Sequence, residues 1–138
     1  MARAIVVGYD DSTGAKAALR VGAELAAQSG DELVIGYGYA PPGVGGEEFR
    51  EHRQALEEQG RKLTADAMEA TRAAGVDAQV ELLDQKPVDA LLNLAERRDA
   101  RFIVVGSYGE SPLRGAVLGS TPHKLLHLSE RPVIVVPG

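Results

Sequence analysis

Three glycines and a serine are spaced along the segment Gly106–Ser120 in the pattern G-x2-G-x9-G-[S/T]. Glycines let backbone amides approach an anion closely and adopt positive φ angles. The last glycine is followed by Ser120, Thr121 and Pro122, and a proline so placed is typical of the first turn of a helix. Free N–H groups at the start of a helix attract anions, and proline has none, so the expected donors are Gly119, Ser120 and Thr121. The segment therefore predicts a site for phosphate groups.

The same segment lacks the lysine of a P-loop, GxxxxGK[ST]. Transfer of a phosphoryl group usually needs cations positioned on the terminal phosphates. We therefore expect binding with little or no turnover, and we assign no catalytic residue. Slow ATP hydrolysis, or autophosphorylation of a nearby serine or threonine, is the enzymatic alternative.

Two further groups of residues have side chains of the kind that hold metal ions. Asp10, Asp11 and Asp84 follow the first and third predicted strands and resemble the acidic cluster of a receiver domain, which would bind Mg²⁺. A receiver also needs a lysine at the end of its fifth strand, where this chain reads VIVVPG. His123 and His127 have the i, i+4 spacing of zinc ligands but lack an evident third ligand. We therefore expect no metal site of either kind.

The glycine-rich segment has to be positioned by the secondary-structure elements around it. The chain contains short apolar runs that are rich in β-branched residues. Such runs are typical of strands buried on both faces, as in a parallel sheet. The runs that predict strands are Ala4–Gly8, Leu33–Tyr39, Ala78–Leu83, Phe102–Val105 and Val133–Val136.

The segments between the strands have the apolar spacing of helices. Ser12 is expected to cap the first helix, Gly30 to end it, and Thr121 to cap the last one. Because strands alternate with helices, the pattern predicts right-handed crossovers and a doubly wound parallel α/β sheet. The predicted helices are Ser12–Ser29, Glu47–Ala74, Pro87–Arg98 and Thr121–Leu128.

The composition excludes several classes of protein. A chain of 138 residues suits a single domain, residues 1–138. The absence of cysteine excludes a disulfide scaffold and thiolate metal sites. A net charge of −5, without a stripe of Lys and Arg, argues against nucleic acid as a partner. No apolar run reaches the ~7 residues of a secretory signal or the ~20 of a membrane span. We therefore expect a cytoplasmic protein with no membrane partner.

The chain contains the motifs IVVGYDDS, PVDALLNLAE, FIVVGSYG, LGST and RPVIVVP. Together these motifs resemble those of the universal stress protein family, along essentially the whole chain. The ATP-binding members of that family carry G-x2-G-x9-G-[S/T], which this sequence satisfies in full. The resemblance implies a Rossmann-like fold with strand order 3-2-1-4-5 and helices on both faces. It also implies a stress-response regulator that binds a nucleotide where the strand order reverses.

The resemblance also implies roles for individual residues. Asp10 would lie beside the adenine or ribose, Gly38 would contact the adenine through its backbone, and Val105 would line the base pocket. Arg114 is the only cation of the glycine-rich segment. The residues expected around the ribose and phosphates are Gly106, Tyr108, Gly109, Gly119, Ser120 and Thr121.

Two positions depart from the family pattern and bear on the ligand. Asp11 stands where a glycine is usual, and Glu110 stands where a basic residue is frequent. Glu110 would repel phosphate and leaves the segment Gly106–Ser120 electrically neutral. The expected ligand is ATP, with or without Mg²⁺. Cyclic AMP or AMP is the alternative, and a structural dimer that binds no nucleotide is another.

The last predicted strand bears on protein partners. In the order 3-2-1-4-5 it lies at an edge of the sheet, and Val133–Val136 carries no charge. An apolar edge strand invites pairing with another chain. Because members of the family commonly dimerise through this strand, the resemblance implies a homodimer. A further protein partner is expected but not identified by the sequence.

Overall fold

The structure, a computed structural model, describes residues 3–40, 47–107 and 118–138, with only the backbone described at 47–49. Strands and helices alternate along the chain in these residues. The strands are β1 (Ala4–Gly8), β2 (Glu32–Gly38), β3 (Ala78–Leu83), β4 (Ala100–Gly106) and β5 (Val133–Val136). The helices are α1 (Thr13–Ser29), α2 (Glu47–Ala73), α3 (Pro87–Arg97) and α4 (Ser120–Leu128).

The strands form one five-stranded parallel sheet in the order β3-β2-β1-β4-β5. This confirms the predicted doubly wound α/β fold and its strand order. The central strand β1 is covered on both faces, and Ile5, Val6 and Val7 are each 0% exposed. The β-branched run of β1 therefore fits a strand that has no solvent-facing side.

Two apolar cores lie on opposite faces of the sheet. On one face, Ile5 and Val7 of β1 belong to a cluster with residues of α1 and with Ala67 of α2. On the other, Val6 belongs to a cluster with Leu91 of α3 and Leu125 of α4. The alternation of side chains along β1 thus supplies both cores, and the helices cover both faces as predicted.

The bounds of several elements differ slightly from the prediction. β2 begins at Glu32, and β4 begins at Ala100. α4 begins at Ser120, with Gly119 as its N-cap in an extended conformation, so the predicted cap at Thr121 is wrong. The carbonyl of Gly119 accepts the N–H of His123 at 3.2 Å, which places the start of the helix earlier.

The close approach of α3 to the sheet depends on Gly38. A Cβ built on Gly38 would lie 2.9 Å from both the carbonyl oxygen of Gln85 and the Cα of Pro87. A larger residue would therefore push the start of α3 away from the end of β2. This contact sets one wall of the cavity described below.

Among the helices of the described ranges, none combines the length and the hydropathy that crossing a membrane requires.

Candidate functional site

A cavity of about 220 Å³ opens at the carboxyl ends of β1, β2 and β4. The first turns of α1, α3 and α4 complete its walls. The strand order changes direction between β1 and β4, and the crevice at such a point is where doubly wound sheets bind ligands. The cavity brings together most of the predicted site residues: Asp10, Gly38, Val105, Gly106, Gly119, Ser120 and Thr121.

The remaining predicted site residues are Tyr108, Gly109 and Arg114, and they lie outside the described residues. Glu110, which was expected to oppose phosphate, lies in the same part of the chain. Their roles therefore stay predictions.

The start of α4 supplies fewer amide donors than the sequence indicated. The N–H of Gly119 donates to the carbonyl of Ser107 at 2.7 Å, so it is engaged within the protein. Pro122 has no N–H, and its side chain is buried. Ser120 and Thr121 are the first two residues of the helix, and their amides lie at the positive end of its dipole. Within the described residues, the amides and hydroxyls of these two residues are the groups of this turn that could donate to an anion.

The glycine at position 106 is also required for packing, which the motif did not indicate. A Cβ at this position would lie 2.5 Å from the carbonyl carbon of Gly14 and 2.7 Å from its oxygen. Both contacts are far shorter than real Cβ contacts, and both are to backbone. Gly106 therefore allows β4 to reach the first turn of α1, and this approach brings α1 to the rim of the cavity.

Asp10 is held by hydrogen bonds within the turn from β1 to α1. Its Oδ1 accepts the N–H of Ser12 at 3.1 Å and also the Ser12 hydroxyl at 2.5 Å. The Ser12 oxygen in turn accepts the N–H of Ala15 at 3.1 Å, which confirms Ser12 as the cap of α1. The exposed Asp10 is thereby linked to a helix through a buried serine.

Asp11, which stands where the family usually has glycine, has φ +64°. This left-handed conformation explains the glycine of the family pattern, and aspartate is one of the few other residues that tolerate it. Tyr9 donates its hydroxyl to Asp11 Oδ1 at 3.1 Å, and Lys16 Nζ lies 3.6 Å from the same oxygen. Burial, with the hydrogen bond to Asp11, raises the pKa of Tyr9 to about 12, so its hydroxyl stays protonated and donates.

Several residues of the cavity were missed by the sequence reasoning, among them Tyr9 and Tyr37. Burial, and then the charge of Asp10, raise the pKa of Tyr37, so it too is neutral at physiological pH. A positional signal could have found both residues. Each lies at the carboxyl end of a predicted strand next to the switch point, where side chains of neighbouring strands meet.

The position of Asp84 does not support a Mg²⁺ site like that of a receiver domain. Its carboxylate pairs with Arg53 of α2 at 2.7 Å and does not line the cavity with Asp10. The rings of His123 and His127 lie 4.8 Å apart on the exposed side of α4. In the described part of the chain, no three His, Asp or Glu side chains are grouped as metal ligands.

Comparisons with known proteins agree with this architecture. A family model described as the universal stress protein family matches residues 1–137. A universal stress protein of Thermus aquaticus is 34% identical over 140 residues, which cover 99% of each chain.

Two solved structures extend the comparison. A universal stress protein in complex with cAMP is 27% identical, with a TM-score of 0.77 over 97% of this chain and 96% of that one. The protein MJ0577 has a TM-score of 0.87 at 22% identity over 100% of this chain and 97% of that one, a likeness of fold. From its sequence, its strand order and these relatives, the chain belongs to the universal stress protein family.

Proposed function

We propose that this protein binds an adenine nucleotide in the cavity at the carboxyl end of the sheet and acts as a regulator through binding rather than turnover. The observation that carries the proposal is the meeting of three groups in one cavity. These are an apolar wall at Val105, the carboxylate of Asp10 and the amino-terminal turn of α4. The relative at 27% identity whose structure contains cAMP supports the same class of ligand.

The walls of the cavity suit the three parts of a nucleotide. Val105 is 4% exposed and lies with Leu91 and Pro87 on the apolar side, which suits a base. The Asp10 carboxylate suits the hydroxyls of a ribose, because a carboxylate accepts strong hydrogen bonds. The amides of Ser120 and Thr121 suit a phosphate.

The volume of the cavity bears on which nucleotide it holds. Drug-sized ligands occupy pockets of ~300–1,000 Å³, and this cavity of about 220 Å³ is smaller. A base and a sugar would fill it, and a chain of phosphates would extend past α4. ATP, with or without Mg²⁺, is the proposed ligand because of the complete glycine motif. Cyclic AMP is the second candidate, because the relative bound to cAMP covers nearly the whole chain.

The charges around the cavity favour binding without catalysis. Of the described residues that line it, Asp10 is the only Asp, Glu, Lys, Arg or His, and none is a cation. Phosphoryl transfer depends on cations that neutralise the charge developing on the transferred group. A rate of ADP release that exceeds that of a variant unable to bind would instead support the slow hydrolase.

We also propose that two copies pair through β5. This strand is at the edge of the sheet, and Val133, Ile134 and Val135 are each only half-buried. On the neighbouring α4, Leu126 is 51% and Leu128 60% exposed. A second copy would cover this apolar surface and satisfy the edge of the strand. Sedimentation should give a dimer, and Ile134→Lys should give a monomer.

The proposed function is tested by calorimetric titration with ATP plus Mg²⁺, with AMP and with cyclic AMP. Ser120→Asp places a carboxylate at the proposed phosphate position, and an acidic residue in the first turn suits the fold of the helix. We expect this variant to lose at least about tenfold in affinity, the range of one charge-assisted hydrogen bond.

The matched control is Gln59→Glu, which adds the same charge on the exposed side of α2 and should bind as the unmodified protein does. Absence of heat with all three nucleotides would overturn the proposed function. Equal affinities of Ser120→Asp and Gln59→Glu would overturn the phosphate position.

A further inference from the structure

The hydroxyl of Ser12 makes two hydrogen bonds, one as a donor and one as an acceptor. The hydroxyl donates to Asp10 Oδ1, and its oxygen accepts the N–H of Ala15 at 3.1 Å. Its backbone N–H donates to the same Asp10 oxygen at 3.1 Å. Ser12 is only 8% exposed, whereas Asp10 is exposed. A buried residue at the start of α1 therefore determines the position of an exposed carboxylate in the cavity.

These hydrogen bonds restrict what Asp10 can do. An exposed aspartate otherwise samples several rotamers, and holding one of them during binding costs conformational entropy. Both bonds from Ser12 go to Oδ1, and no donor among the described residues is bonded to Oδ2, which can accept from a ligand. The carboxylate is thus oriented before any ligand arrives.

The turn from β1 to α1 is also held by hydrogen bonds that do not involve Ser12. Tyr9 donates to Asp11 at 3.1 Å on the other side of the turn, and the backbone N–H of Tyr9 donates to Gly36 at 3.0 Å. Loss of the Ser12 hydroxyl would therefore remove the side-chain hydrogen bond to Asp10 Oδ1 without removing these contacts, and the bond from the backbone N–H of residue 12 would remain. The role of Ser12 toward Asp10 can be separated from the integrity of the turn.

We propose that Ser12 is a positioning residue, which orients Asp10 so that Oδ2 accepts a hydrogen bond from a ribose hydroxyl of the nucleotide. The inference rests on the proposed function, and it adds the residue that prepares the sugar contact. Ser12 itself acts through Asp10 and need not touch the ligand.

A simple helix cap would be the competing explanation, and the choice of substitution separates the two. Glycine at an N-cap costs only a few tenths of a kcal/mol relative to serine, so Ser12→Gly keeps most of the stability of the cap. It removes the hydroxyl donor to Asp10 and keeps the backbone N–H donor. Ser12→Thr keeps a hydroxyl that can make both bonds. Thermal unfolding of each variant verifies that it folds.

The experiment measures the affinities of the unmodified protein, Ser12→Gly and Ser12→Thr for AMP, 2′-deoxy-AMP and 3′-deoxy-AMP. We expect the unmodified protein to prefer AMP over at least one deoxy analogue by about tenfold, as for a hydrogen bond to a charged group. Ser12→Gly should reduce this ratio to about twofold, and Ser12→Thr should restore it. Asp10→Asn should remove the preference as well, and adding Ser12→Gly to Asp10→Asn should change it no further.

Each result decides the proposal. If Ser12→Gly weakens all three nucleotides equally and the ratio is unchanged, Ser12 is a structural cap and the inference is wrong. The same conclusion follows if the unmodified protein binds AMP but shows no preference for either hydroxyl, and in that case the proposed function still stands. Failure of the unmodified protein to bind any of the three nucleotides would overturn both.

Discussion

The two ends of the sheet are built from different interactions. At the amino end, the side chain of Asp31 is 1% exposed and accepts from Arg101 Nε at 2.6 Å and from the N–H of Arg3 at 3.0 Å. Nearby, Asp99 pairs with Arg131 at 2.7 Å and with Arg3 at 3.4 Å. The acidic groups here are matched by cations of the protein itself.

The carboxyl end of the sheet has glycines instead, together with polar groups that are only partly hydrogen-bonded among the described residues. Gly38 and Gly106 bring backbones close together, and the cavity between them is lined by Asp10 and by the first turn of α4. In the proposed function, the amides of that turn and one oxygen of Asp10 would bind the ligand. The comparison teaches that the sheet is stabilised at one end by internal pairing, whereas the described residues of the other end offer polar groups that the proposed nucleotide site would use.

The largest expected effect that would test this comparison is at the amino end. Asp31→Ala leaves Arg101, which is 38% exposed, and the N–H of Arg3 without their shared acceptor, and each hydrogen bond to a charged group contributes about 1.5–3 kcal/mol. We expect the free energy of unfolding, measured by urea denaturation, to fall by about 3 kcal/mol. Nucleotide affinity should not change, because the cavity lies at the opposite end of the strands.

A control for this variant is Asp99→Asn, at a side chain that is 70% exposed. Its effect on unfolding should be much smaller, because exposed pairs are screened by solvent. Equal losses in the two variants would contradict the distinction between the buried and exposed pairs.

The second effect is at the carboxyl end. Gly106→Ala places a methyl group within 2.5 Å of the Gly14 backbone, which cannot rotate away as a side chain can. We expect a loss of about 1–3 kcal/mol in the free energy of unfolding, with weaker nucleotide binding because α1 and Ser12 must shift. Gly30→Asn is a control, since Gly30 has φ +77° with open space around it and asparagine tolerates that conformation. If Gly106→Ala were as stable as the unmodified protein, the close approach of β4 to α1 would be wrong.

The third effect is the dependence of stability on pH. The hydrogen bond from Arg101 is the main cause that lowers the pKa of Asp31 from 3.8 to about 2. Because the folded state has the lower pKa, the stabilisation is complete above pH ~4 and is lost as the pH falls toward 2. The unmodified protein should lose up to about 2 kcal/mol more than Asp31→Asn over this range. Parallel pH profiles of the two proteins in urea denaturation would show that Asp31 is not responsible.

The two ends also differ in how far the sequence predicts them. The strands follow from local patterns, since β-branched runs are readable within a few residues, whereas the strand order and its switch point were implied by the family resemblance. The start of α4 was misplaced because it depends on the contact of Gly119 with Ser107, which forms only in the folded chain. The Asp31–Arg101 pair was not predicted at all, because 70 residues separate its members and only the sheet brings them together across β1.

The smallest expected effect concerns Asp11 and the turn next to the cavity. Its φ of +64° is costly for a residue with a Cβ and no local hydrogen bond, and Tyr9 and Lys16 contact its carboxylate. Asp11→Ala loses these contacts and keeps the unfavourable conformation, whereas Asp11→Gly loses the contacts and removes the conformational cost. Chemical denaturation should therefore find Asp11→Gly more stable than Asp11→Ala by about 1 kcal/mol. Equal stabilities would mean that the turn relaxes out of the left-handed conformation when the aspartate is removed. The geometry that Asp10 requires would then depend on its neighbour, and the carboxyl end of the sheet would be less independently fixed than its amino end.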